Sequence, residues 1–196
     1  MSYHIYKTEG FVVGSMNVGE SNRFLYIFTK ELGLVGASVQ GVRELKSKLR
    51  FSLQDFSYAN IDLVRGKRVW RVTNAQKLSA FERLLEEEHK QEVFVNISSL
   101  IKRLFAGEGG HGAVFRDVIS GFTFLAHDSF TREELRNFEI ILVIKILDGL
   151  GYWARQNVFS SFLSAHAWDK ELLGTVTPLK PAALREIHNA LKETHL

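Results

Sequence analysis

The chain has 196 residues, 45% of them apolar and 24% charged, with a formal net charge of +3 and no cysteine. That length has room for a hydrophobic core in one large or two small domains. The missing cysteine excludes disulfides, thiol nucleophiles and cysteine-ligated zinc or iron–sulfur centres. No run of about 18 uninterrupted apolar residues is present, and the first residues, MSYHIYKTEG, lack the charged end and apolar stretch of a secretion signal. A cytoplasmic protein with no membrane partner is expected.

Taken in chain order, the first part alternates like strands: 10–16, 22–29, 34–40, 51–64 and 68–76. Turn signals separate them at Asn17 to Glu20, Lys30 to Gly33 and Arg65 to Lys67. Five short strands at such spacing predict a small barrel or sandwich, and a five-stranded Greek-key barrel, the OB-fold, fits. From about Leu78 the period becomes helical, over 79–106, 112–127, 132–149, 152–165 and 180–194. Thr131 and Glu134 make a capping box for the third of these, and Gly149 and Gly151 stop it. Its run from Phe138 to Leu147 is apolar nearly all round, as in a central helix. The expected fold is therefore two-domain α+β: a barrel over residues 1–78 and an all-α domain over 79–196.

Charge follows the same division. Residues 1–77 carry 12 Lys and Arg against 6 Asp and Glu, a balance of +6, whereas 78–196 carry 13 against 16, a balance of −3. Local density of this kind makes an electrostatic footprint, because charges act within roughly 8 Å at physiological salt. Two clusters stand out. Arg43, Lys46, Lys48 and Arg50 crowd the connection after the third strand, and Arg65, Lys67, Arg68 and Arg71 surround Trp70 at a hairpin. Cations that track a backbone neutralise phosphates without reading sequence, and aromatics among them can stack bases. These eight residues are the candidate nucleic-acid-binding set. For Trp70 a core position is expected over a stacking one, since it alternates with Arg71 along a strand; Phe24 and Tyr26 pose the same question. Arg23 and Glu20 are expected to pair across a turn.

No catalytic site assembles. The seven histidines lack HxxxH or HExxH spacing, so no metal is assigned. The glycine-rich stretch from Gly107 to Gly112 lacks the Gly-Lys-Ser/Thr ending of a phosphate loop and is expected to be a flexible interhelical linker. The reading is a protein with no enzymatic activity and no cofactor.

A set of short motifs in one register carries a resemblance. These are Thr8-Glu9-Gly10-Phe11-Val12-Val13, Gly19-Glu20-Ser21-Asn22-Arg23, Phe28-Thr29 with Gly33, Gly41-Val42-Arg43 with Lys46-Ser47, and Leu53-Gln54-Asp55-Phe56. Further along come Leu135-Arg136-Asn137-Phe138-Glu139, Leu150-Gly151-Tyr152 and Pro178-Leu179-Lys180. Together they resemble the bacterial recombination mediator family RecO. The resemblance implies an OB-fold joined to a helical domain, in a DNA repair and recombination mediator that binds single- and double-stranded DNA and anneals complementary strands. On that resemblance the eight basic residues are the candidate DNA-binding set. It also implies loading of recombinase onto DNA coated by single-strand-binding protein, with RecR and the C-terminal tail of that coating protein as partners, in the bacterial cytoplasm at the nucleoid. Two departures are visible: Asp55 stands where the family usually has proline, and the four-cysteine zinc module of many relatives has no counterpart. Within the helical domain, Arg132 and Arg155 are the candidate partner-binding cations, suited to rim an apolar pocket for an acidic peptide. The alternative reading is a protein-interaction or RNA-binding OB-fold module whose DNA affinity is incidental.

Overall fold

The computed structural model describes residues 4–105, 107–153, 157–165 and 167–194, and the chain divides into two compact units. One comprises Met1–Arg83 with Phe105–Gly112, the other Leu84–Leu104 with Ala113–Leu196.

The first unit is a closed barrel. Strands β1 (Ile5–Val18), β2 (Asn22–Thr29), β3 (Gly33–Val39), β4 (Ser57–Arg65) and β5 (Trp70–Ala80) close in the order β1-β2-β3-β5-β4. All neighbours are antiparallel except β3 and β5, which meet in parallel at Ala37/Trp70 and Ser38/Arg71. This is the OB-fold. β1 makes closure possible because its first half pairs with β4 and its second half with β2, with a bulge between Val12 and Gly14 that bends the strand. Inward positions alternate along every strand: Val12, Leu25, Ile27, Val35, Ala37, Val39, Ala59, Ile61, Leu63, Trp70 and Val72 are buried together. A second apolar layer forms on the outside of β1 and β2, where Phe11 packs against Phe56 and Phe81, and Phe28 against Phe105 at 4.6 Å between ring centroids.

Two expectations are corrected here. The fourth strand begins at Ser57 and not at Phe51, because residues 41 to 56 form a chain of tight turns: Glu44 N donates to Gly41 O, Ser47 N to Glu44 O, Arg50 N to Ser47 O and Leu53 N to Leu49 O. Leu53 is buried as a strand residue would be, yet it caps the end of the barrel with Val42 and the partly buried Leu49. The glycine-rich stretch is also no free linker. Glu108 bridges to Gly33, Gly109 N donates to Leu32 O at 3.1 Å, and Gly33 adopts φ 72°, with Gly109 O only 2.4 Å from where a Cβ would sit. Only glycine at position 33 allows both that conformation and that approach.

In the second unit the helices are α1 (Glu88–Leu104), α2 (Gly112–His127), α3 (Arg132–Gly149), α4 (Ser160–Ser164), α5 (Lys170–Thr175) and α6 (Lys180–Glu193). The helix expected over 79–106 starts later, since β5 runs to Ala80 and a 3₁₀ turn spans Phe81–Leu85. That expected over 152–165 reduces to a 3₁₀ turn at Asn157–Phe159 and α4, and its residues 154–156 lie outside the described residues. α3 is buried on nearly all sides, from Leu135 to Leu147. Its start carries the full capping box, Glu134 N donating to Thr131 Oγ1 and Thr131 N to Glu134 Oε2. Those bonds hold the Glu134 carboxyl below its ordinary pKa. Its end is a Schellman motif, with Tyr152 N donating to Leu147 O, Gly151 N to Asp148 O and Gly151 at φ 80°. Lys145 turns inward, donating to Ala165 O at 2.6 Å and pairing with Asp117, so it serves packing. No helix among the described residues is long and apolar enough to cross a membrane.

Candidate nucleic-acid interface

Arg43, Lys46, Lys48 and Arg50 are all exposed on the loop that follows β3. The loop is held from below by Val42, Leu49 and Leu53 and at its start by Asn22, whose Oδ1 accepts from Gly41 N at 2.9 Å. Arg43 is tied to the β1–β2 turn, its backbone N donating to Ser21 O and its Nη1 to Gly19 O at 3.2 Å. A cleft of about 330 Å³ opens there, lined by Asn17, Arg23, Val42, Arg43, Arg50 and Gln54. Arg23 does not pair with Glu20. It reaches Asp55 at 3.1 Å, Ser15 Oγ and Leu53 O, bracing β1, β2 and the end of the loop. The carboxylate that stands in place of the family's proline thus has a partner.

The second cluster splits. Lys67 and Arg68 are exposed at the β4–β5 tip, which Gly66 N closes on Val69 O. Arg65 is also exposed but engaged: its guanidinium lies over the Trp70 ring at 5.2 Å and pairs with Glu108 Oε2 at 2.7 Å. Trp70 donates from Nε1 to Glu108 Oε1 at 2.9 Å and is buried, the core position its alternation predicts. Arg71 points outward, in register with Ser38, on the sheet surface.

The parallel register sets Trp70 beside Ala37 and Arg71 beside Ser38, near the end of β3, from which the 41–50 loop also leaves; from there the 65–69 tip runs back along β3. Beside both clusters lies the outer face of β1, β2 and β3. One row across it is Met16, Phe24, Ser38 and Arg71, and the next is Gly14, Tyr26 and Gly36. Phe24 and Tyr26 meet edge to face at 5.4 Å. Phe24 leans over Gly36, where an added Cβ would come within 2.6 Å of its ring. Glycines on both sides of Tyr26 keep the face low around the two rings. Sequence alternation left open whether these rings face the core; strand register answers it, since Leu25 and Ile27 are the buried partners in β2.

The surface around β1 and β4 is of mixed charge. Glu9, Glu31 and Asp62 share a cleft with Lys7, Asn60, Asn74 and Gln76. Lys30 bonds Glu9 at 2.6 Å and, with the Tyr58 hydroxyl donating to the same carboxylate, holds Glu9 below its ordinary pKa; burial, then that bond, pushes Tyr58 up. Among the described residues no group of three or more His, Asp or Glu is placed to hold a metal ion.

In the helical unit, Arg132 is exposed and donates to His89 Nε2 at 3.1 Å, on a polar cleft that also holds Glu88, Glu92 and Glu139. Arg155 lies outside the described residues. Sequence reasoning expected an apolar pocket rimmed by cations but not its lining, a groove of about 780 Å³ between α1, α3 and α6, floored by Ile97, Leu100, Ile140 and Val143 and edged by Arg103, Arg136 and Lys180. The 3.6-residue spacing of α6 carried the signal, but the partner helices did not follow from it.

A family model described as "Recombination protein O N terminal" matches residues 1–81. A DNA repair protein RecO of Dehalococcoides mccartyi is 30% identical over 142 residues, 71% of this chain and 55% of that protein. The barrel is a RecO N-terminal domain. A DNA repair protein RecO of Clostridium novyi is 28% identical over 149 residues, covering 76% of this chain and 57% of the relative. One of Alkaliphilus metalliredigens reaches 36% over 98 residues, 50% of this chain and 35% of its own length. The chain spans little more than half the length of the first two.

Proposed function

We propose that this chain is a non-enzymatic DNA-binding mediator of repair and recombination, acting in the cytoplasm. The observation that carries the reading is that the exposed cations of both basic clusters border one aromatic sheet face, with Arg71 in the same row as Phe24. A single strand laid over this face meets cations along its margin and the rings of Phe24 and Tyr26 beside them. OB-folds take about four nucleotides or more in such grooves. Exposed cations neutralise phosphates of any sequence, for single and double strands alike. Screening of two backbones while bases stay free to pair is what strand annealing requires.

The helical unit supplies a docking role. The apolar groove edged by Arg103, Arg136 and Lys180, with Arg132 on the adjoining cleft, suits an acidic peptide with an apolar end, such as the C-terminal tail of single-strand-binding protein. RecR and recombinase loading complete the proposal by family likeness.

The test is annealing of labelled complementary oligonucleotides, bare and coated with single-strand-binding protein, with single-stranded RNA as competitor. Faster annealing of both DNA forms is expected. No acceleration, or preferential binding of RNA through its 2′-hydroxyls, refutes the reading.

A further inference from the structure

The basic loop displays two apolar side chains that its fold does not use. Leu45 is 88% exposed and Phe51 is 67% exposed, although Val42, Leu49 and Leu53 of the same loop turn inward. Successive turn hydrogen bonds from Gly41 to Leu53 fix which residues point in and which point out. A phenylalanine held outward in this way, flanked in sequence by Arg50 and near Lys46 and Lys48, is a contact surface awaiting an apolar partner that comes with negative charge.

We propose that Phe51 stacks on an unpaired base of a single strand whose phosphate is seated by Arg43 and Arg50. This deepens the DNA reading and rests on it. The charge complement is a phosphate: the cleft lined by Arg50, the residue before Phe51, brings it together with Arg43, Arg23, Asn17 and Gln54, the last two being amides that add neutral hydrogen bonds to an anion. The shape of that seat decides between partners. A concave cleft takes one phosphate of a flexible chain, while a flat anionic bilayer meets only the projecting side chains. The ring then supplies what the cations cannot, since every unpaired base has a face to stack on and a base inside a duplex does not offer it. Phe51 thereby gives the loop a preference for single over double strands.

The full chain is compared with its Phe51→Ala and Phe51→Trp variants for binding to a single strand, to the same strand with abasic sugars throughout, and to vesicles of phosphatidylglycerol and phosphatidylcholine. Phe51→Ala should bind the ordinary strand about fivefold or more weakly, from the usual strength of base–aromatic stacking. It should bind the abasic strand as the parent does and keep the parental salt dependence, while Phe51→Trp restores affinity. Equal binding of the ordinary strand by parent and Phe51→Ala overturns the proposal. Loss of vesicle binding with DNA binding intact overturns it in favour of a lipid surface. The variant with Arg43, Lys46, Lys48 and Arg50 all changed to alanine separates the two layers: if it loses DNA and Phe51→Ala does not, stacking alone is wrong. If neither loses DNA, the DNA role of this loop falls with it.

Discussion

Replacing Arg43, Lys46, Lys48 and Arg50 together by alanine tests the interface most directly. All four side chains are exposed, and only Arg43 is tethered, by one bond to Gly19 O. Three to four phosphate contacts are therefore at stake. For single strands the slope of log affinity against log salt is about −0.7 per phosphate, so its magnitude should fall by roughly 2.1 to 2.8. Between about 50 and 200 mM salt this narrows the ratio of parental to variant affinity by roughly 20- to 50-fold. Fluorescence anisotropy with labelled oligonucleotides across that salt range reads the slope directly, and a mixed set of sequences should respond alike. Val42, Leu49 and Leu53 are untouched, so the loop keeps its attachment to the barrel, and far-UV circular dichroism with thermal melting verifies the fold. A folded variant with the parental slope would show that these cations do not meet the backbone.

Further outcomes follow from individual contacts. Glu108→Gln removes the charge that engages Arg65, so single-strand affinity should rise and the salt slope steepen by about 0.7, one phosphate more; an unchanged slope would mean that Arg65 stays out of the interface. Leu53→Ala opens a cavity in the barrel end and should cost about 2–5 kcal/mol in urea unfolding of the barrel unit. Glu9→Gln should lower stability at neutral pH. Because Lys30 and Tyr58 depress the folded pKa of Glu9 below 4.5, its contribution is complete above 4.5 and is lost as pH falls through the depressed value. Denaturation curves of parent and variant should thus converge in acid. Burial raises Glu139, so the parent should gain stability relative to Glu139→Gln as pH falls through that raised value, with the two differing most at neutral pH.

How far the sequence spoke depended on the range of the interaction. Alternation in β2 and β3 marked their strands, and the capping box with Gly149 and Gly151 bounded α3, because those signals lie within a few residues. The segment from Phe51 misled for the same reason: Phe51 and Leu53 alternate like a strand, but one points to solvent and the other plugs the barrel, and the turn bonds that decide this leave no period. Phe56, at φ 67°, takes a backbone conformation that no composition rule anticipates for an aromatic residue. The parallel contact of Ala37 with Trp70 sets the barrel order and places Arg71 beside Phe24's row, yet it joins residues 33 apart. The bond from Trp70 to Glu108 spans 38. Such pairings are tertiary choices, and the eight basic residues could be named singly but not arranged.

The docked glycine stretch also changes what counts as a separable piece of this protein. The polypeptide quits the barrel after Arg83, builds α1, returns for Phe105–Gly112 and departs again. A prefix cut near residue 78 would strip Phe81 from Phe11, Phe105 from Phe28 and the carboxylate from the Trp70 indole. The compact barrel unit is a discontinuous one, Met1–Arg83 with Phe105–Gly112. Its engineering is accordingly that of an interleaved pair, in which a barrel fragment has to carry Phe105–Gly112 along with the five strands.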